Sequence, residues 1–338
     1  MQKVLVDILH PAHLHFFKRT LDELKRRDIE VILCTREKEM TVTLARELNF
    51  DQRVLSIKGT STGSLVSEGI NRLLELRKII KQEKPALLLG VMGIFIAPLS
   101  QMEAIPSLVF YDTETAWLTN WIAFRLASRV LVPTCFEGHV FSNTVRYPSY
   151  QTFSSLYEKA KLIAESGFPK RELILFRFVS RSSSHEYFER NQSWSQRSHW
   201  VNAVKGFPIE ISSEELVPEN LASFLPKEKV SEFHLRIHQS QLVISESPTV
   251  CSEAACLGVP SYYMSDSPRG YIHELEQSYQ LVRTVLPRDQ DEFIEKLKSG
   301  SWRDDFNGLE SNFKRLLKDK IDPTPFILSQ IDELLKKR

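Results

Sequence analysis

The chain has 338 residues, 42% of them apolar and 26% charged, with a formal net charge of +1. That length predicts two domains, each able to bury a core without disulfides or metals. The near-zero charge excludes a global field that would gather nucleic acid or an anionic membrane.

Other classes are excluded as directly. The four cysteines, Cys34, Cys135, Cys251 and Cys256, form no CxxC pair and no cluster with histidine, which argues against structural zinc. Their sparseness points to a reducing compartment, and a cytoplasmic location is expected. Residues 1–7 run straight into a strand without the apolar core and cleavage site of a secretory signal. The longest apolar stretch, residues 86–99, is broken by Gly90, Gly93 and Pro98 and is too short to span a bilayer. Peripheral contact with a membrane stays open.

In chain order, residues 4–9 are a buried-strand pattern. Residues 13–27 follow with Leu14, Phe17, Leu21 and Leu24 at helical spacing. Strand patterns recur at 30–34, 53–57, 86–91, 107–111 and 129–132, and helical patterns at 38–49 and 67–83. This alternation predicts a parallel sheet covered on both faces. Residues 141–155 break it and read as a crossing between domains. Strand patterns resume at 172–179, 208–212, 242–245 and 260–264. Helices are expected at 191–203, 227–239, 249–257, 291–298, 307–317 and 325–337. The expectation is an α/β chain of two Rossmann-like domains facing across a cleft. Residues 1–150 form the first domain and 151–324 the second, with the closing helix at 325–338 free to pack back onto the first.

The strongest local signal is the stretch from Leu242 to Pro260. A buried strand enters a turn of Ser245, Glu246, Ser247, Pro248 and Thr249, and a helix begins near Val250. Hydroxyls and unpaired N–H groups at a helix N-terminus suit a phosphate. Glu253, one turn later, can offer a carboxylate to two vicinal ribose hydroxyls. The same spacing equally describes an N-cap at Ser247 or Thr249 with Glu253 facing the helix dipole. The turn has no glycine, and Pro248 has no N–H to give.

Three histidines, His10, His13 and His15, lie between the first strand and the first helix. An imidazole at a sheet's carboxyl edge can take or give a proton near neutrality. Asp112 and Glu114 follow the strand at 107–111 and serve either as acceptor-binding or basic carboxylates, or as caps of the next helix. Arg177, Arg181, Ser182–Ser184 and His185 lie at the end of the first strand of the second half, where arginine suits a diphosphate. The Asp289-Gln290-Asp291 triplet stands before a helix and reads as a cap rather than a metal motif.

The Ser245–Pro260 stretch resembles the donor-binding loop of glycosyltransferase-B proteins, among them the UDP-GlcNAc 2-epimerases and the UDP-GlcNAc transferase of peptidoglycan synthesis. Residues 6–17, 109–114, 132–136, 146–150, 177–185, 245–260 and 270–275 together resemble the predicted glycosyltransferases of the domain of unknown function 354 family. The resemblance implies the glycosyltransferase-B architecture. It implies a nucleotide-sugar, UDP-linked, as co-substrate, with a glycan or lipid-linked acceptor in surface polysaccharide synthesis, and no cofactor, metal or nucleic acid. Ser247, Thr249, Arg181 and Ser184 would hold the diphosphate and Glu253 the ribose. His13 would be base or charge-stabiliser, assisted by Asp112 or Glu114. A 2-epimerase or hydrolase shares this fold, and a non-catalytic binding protein is the third reading.

Overall fold

The computed structural model describes residues 2–37, 41–57, 62–180, 193–226 and 232–336. Arg181, Ser184 and His185 lie outside the described residues. The chain divides into two compact units, residues 1–155 with 322–338, and residues 156–321.

The first unit is built on a seven-stranded sheet. Its strands are β1 (Lys3–Ile8), β2 (Glu30–Glu37), β3 (Arg53–Ile57), β4 (Leu87–Val91), β5 (Ser107–Phe110), β6 (Arg129–Pro133) and β7 (Thr144–Tyr147). They pair in the order β3-β2-β1-β4-β5-β6-β7, all parallel. Successive side chains of a strand point to opposite faces. Val4, Val6 and Ile8 therefore join one core and Leu5 the other. The first core is covered by α1 (Pro11–Arg26), α2 (Thr41–Glu47) and α13 (Pro323–Lys336). The second is covered by α3 (Thr62–Glu83), α4 (Ile96–Glu103) and α5 (Trp117–Leu126). The closing helix α13 buries Ile327, Ile331 and Leu334 in this unit, and Arg19 grips Asp322 at 2.9 and 2.8 Å just ahead of it. A buried pair, Arg72 with Asp7, ties α3 under β1.

Two features of this unit depart from the sequence expectation. Residues 144–147, expected within an irregular crossing, form the edge strand β7. The pairing of Val130–Pro133 with Thr144–Tyr147 supplies hydrogen bonds that the short stretch cannot make alone. Residues 153–155 of the expected crossing open α6 (Phe153–Ser166), within which the chain passes from the first unit to the second.

The second unit carries a five-stranded parallel sheet. Its strands are β8 (Leu173–Phe178), β9 (Ile209–Ser213), β10 (Ser240–Ser245), β11 (Ser261–Tyr263) and β12 (Val282–Thr284), in the order β12-β11-β10-β8-β9. Its helices are the greater part of α6, then α7 (Trp194–Ala203), α8 (Phe233–Gln239), α9 (Pro248–Cys256), α10 (Gly270–Gln277), α11 (Gln290–Ser299) and α12 (Leu309–Asp319). Trp200, Tyr262, Phe293, Trp302 and Phe306 fill one face. Gly258 sits just beyond α9 at φ +63, the left-handed geometry that glycine adopts without a Cβ penalty. No helix among the described residues is long and apolar enough to cross a membrane.

In each unit the chain reverses its direction of travel across the sheet. The reversal lies between β1 and β4 in the first unit and between β8 and β10 in the second. Ligands of such sheets bind outside the carboxyl ends of the strands at this switch point. The loop carrying His10 and the turn carrying Ser247 follow β1 and β10, so both stand at switch points.

Candidate functional site

In the second unit, Ser245 ends β10 with its side chain fully buried. Its Oγ accepts from Ser247 N–H at 2.9 Å and donates to Ser247 O at 3.1 Å, which folds the turn tightly. Glu246 turns inward. Its carboxylate takes Arg197 Nε at 2.9 Å and Nη2 at 2.7 Å, and accepts from Val179 N–H at 3.0 Å. It is thereby spent on holding the loop. Ser247 is the N-cap of α9, its Oγ accepting from Val250 N–H at 3.4 Å, and Pro248 takes the first helical position. The capping role read for Ser247 is thus real.

What this leaves for a ligand is narrow. Ser247 N–H is used by Ser245, Pro248 has none, and Val250 N–H is capped. Among the described residues, Thr249 N–H keeps no partner, at the positive end of a nine-residue helix. The hydroxyls of Ser247 and Thr249 flank it. Glu253, one turn on, is 7% exposed, and its Oε1 lies 3.1 Å from His234 Nε2 on α8. His234 adjoins that carboxylate without hydrogen-bond geometry at Nε2.

Arg177, at the end of β8, is engaged within its own sheet. It pairs with Glu214, donates to Ser212 Oγ at 3.0 Å and lies 6.0 Å from the Phe233 ring centroid. A role gripping diphosphate would require it to give up Glu214.

In the first unit, His10 is the N-cap of α1, its Nδ1 accepting from Ala12 N–H at 3.2 Å, with Pro11 behind it. His13 Nδ1 accepts from Leu9 N–H at 3.3 Å. A neutral imidazole accepting at Nδ1 carries its hydrogen on Nε2. His13 is thus set to donate a hydrogen bond from Nε2.

Asp112 and Glu114 follow β5. Neither they nor Thr113 cap α5, whose N-cap residue is Ala116. Thr113 Oγ1 donates to Asp112 Oδ1 at 3.3 Å, and Glu114 Oε1 accepts from Glu137 N–H at 3.3 Å. Tyr147, at the end of β7, belongs beside them. Its buried hydroxyl has no hydrogen-bond partner among the described residues. Burial first, then the charges of Asp112 and Cys135, hold that phenol well above its ordinary range. Asp112, Cys135 and Tyr147 thus gather at the carboxyl ends of β5, β6 and β7.

Sequence reasoning missed His234, Arg197 and Tyr147. Arg197 left a trace, since it shares the 197, 200, 201 spacing of a buried helix face with Trp200 and Val201. A cation on such a face requires a buried anion. Tyr147 stood in the 146–150 motif without a role. His234 left none. Its meeting with Glu253 depends on α8 packing against α9. Among the described residues, no three His, Cys, Asp or Glu side chains gather as a metal site.

Solved structures of similar fold span the whole chain. The putative UDP-N-acetylglucosamine 2-epimerase from Listeria monocytogenes matches with a TM-score of 0.72 at 14% identity, covering 100% of this chain and 97% of that one. The UDP-GlcNAc 2-epimerase from Neisseria meningitidis, bound to UDP-GlcNAc, matches with a TM-score of 0.71 at 14% identity, over 98% and 100%. The spinosyn forosaminyltransferase SpnP matches with a TM-score of 0.66 at 12% identity, over 99% of each chain. At these identities the likeness establishes the fold, two Rossmann-like units of the glycosyltransferase-B class. No curated protein matches the chain. Residues 2–172, just over half of its length, match the family described as protein of unknown function (DUF354), and the chain belongs to that family.

Proposed function

We propose that the protein transfers a sugar from a nucleotide-sugar, UDP-linked, to a glycan or lipid-linked acceptor. The observation that carries this reading is the start of α9: an unpartnered Thr249 N–H between two hydroxyls, with the buried carboxylate of Glu253 one turn away. Phosphate oxygens suit the first and ribose hydroxyls the second. Proteins of the same fold act on such donors, the meningococcal epimerase being bound to UDP-GlcNAc.

In this reading Ser247 and Thr249 hold the diphosphate, joined by Arg181 and Ser184, and Glu253 holds the ribose. With its Nδ1 occupied by Leu9 N–H, His13 serves to stabilise developing negative charge through Nε2–H rather than to take a proton. Asp112 or Glu114 then supplies the base for the acceptor hydroxyl.

The same carboxylates favour a second reading, a nucleotide-sugar 2-epimerase or hydrolase, which needs a base for the proton beside the anomeric carbon. Incubation with UDP-GlcNAc alone separates the two. Simple transfer predicts that the donor persists without an acceptor. Release of UDP together with a 2-epimer or free sugar would establish the second reading instead. A panel of nucleotide-sugars that left the thermal midpoint unmoved would sink both.

A further inference from the structure

A second basic feature lies at the opposite, amino-terminal edge of the second sheet. A surface pocket of about 390 Å³ opens between the C-terminal half of α6, the segment leading into β8 and the end of α8. Lys159 and His238 line it, together with the apolar side chains of Leu162, Ile163 and Phe168. Arg171 stands behind Phe168, 4.9 Å from the ring centroid, fixed by the carbonyls of Leu257 (2.9 Å) and Gly258 at the end of α9.

Neither Lys159 nor His238 has an acidic partner here among the described residues. Among the described residues, the Lys159 ammonium has no ion-pair or hydrogen-bond partner, and the buried Nδ1 of His238 has none. The charge acting on Lys159 from its surroundings is that of Arg171, and those acting on His238 are Lys159 and Arg171. All are cations. Burial, then these two charges, push the His238 imidazole down to about 4. A folded protein that gathers three basic side chains without a carboxylate has left room for an anion.

We propose that this pocket binds a small phosphate-bearing molecule. Lys159 and Arg171 supply two permanent positive charges, matching a phosphate dianion, and His238 supplies a donor. The pocket exceeds what a bare phosphate needs, and its wall of Leu162, Ile163 and Phe168 suits an apolar or partly apolar ester body. An anion beside the imidazole favours its charged form, so binding raises the His238 pKa and takes up a proton only close to that low value, where inorganic phosphate is a monoanion. This site is separate from the Ser247–Glu253 turn and stands whether or not that turn binds a nucleotide.

The test uses the intact chain at constant ionic strength. Inorganic phosphate and pyrophosphate are titrated while the His238 imidazole resonance, identified by its loss in His238→Gln, is followed. The expected result is a saturable shift, with the His238 pKa raised by about one unit or more. Lys159→Gln should weaken both anions about tenfold, and Lys298→Gln, at an exposed lysine of α11, should leave them within about twofold. The absence of a saturable shift up to about 10 mM, or a shift that Lys159→Gln leaves intact, overturns the site. Should Lys159→Gln misfold by circular dichroism, calorimetry with His238→Gln answers the same question. Binding to phosphatidylcholine vesicles containing phosphatidic acid, with no response to the free anions, would replace the small molecule by a lipid surface.

Discussion

Arg197 holds Glu246 in a bidentate pair, at 2.9 and 2.7 Å, with both side chains almost wholly buried. The loop that offers Ser247 and Thr249 outward is therefore anchored by its neighbour turned inward. Removing one partner of such a pair strands the other charge in the core, at a cost of about 3–5 kcal/mol. Arg197→Met should lower the unfolding free energy from urea titration by that amount, while the paired change Arg197→Met with Glu246→Leu should recover a large part of it. An unchanged midpoint in the single variant would show that Glu246 finds water.

Glu253 is expected to act in binding more than in stability. Glu253→Gln keeps the volume and removes the charge beside His234. It should lower the affinity for UDP about tenfold or more, with the unliganded thermal midpoint within about 3 °C of the parent. His234→Ala should weaken UDP in the same direction by less, because it changes the surroundings of the carboxylate and removes none of its oxygens. Equal affinity in Glu253→Gln and parent, measured by calorimetry, rejects the ribose assignment.

Gly93 follows β4 at φ +69, and a Cβ there would stand 2.7 and 2.8 Å from the two methyl groups of Val109 on β5. Gly93→Ala should cost about 2–4 kcal/mol, combining the left-handed backbone with overpacking. Adding Val109→Ala relieves the clash but not the backbone term, so the double variant should lose less than the sum of the singles. Strict additivity in denaturant titrations would place the whole cost in the backbone.

Glu83 ends α3 between Lys3 (2.7 Å) and Arg53 (2.6 Å). Hydrogen bonds from Lys3, then Arg53, lower its carboxyl from 4.5 to about 2. A carboxyl lowered on folding stabilises the protein above its unfolded value, and that contribution is lost as pH falls through the folded one. The difference in urea midpoint between the parent and Glu83→Gln should therefore be full above about pH 5 and shrink toward pH 2. Salt should reduce it, since the cluster is at the surface. A difference that stayed constant from pH 6 to about 2 would exclude the electrostatic cause.

The sequence by itself determined the class of fold and the position of the main loop. Strand runs such as residues 4–6 and 242–244 are apolar at successive positions because both faces of a parallel sheet are covered. That pattern is local and can be read without a structure. The α9 start is equally local, since Ser247, Pro248 and Gly258 mark a cap, a first turn and a left-handed exit within one short segment.

What only the tertiary structure decided depends on partners distant in the chain. β7 was hidden because a short edge strand is specified by β6 beside it. The roles of Glu246 and Glu253 are opposite, although both are glutamates of one loop. Arg197, contributed by another helix, draws the first into the core, whereas the second lies within α9 beside His234 of α8. The cluster of Asp112, Cys135 and Tyr147 likewise joins the ends of three strands that only hydrogen bonding along the sheet sets side by side.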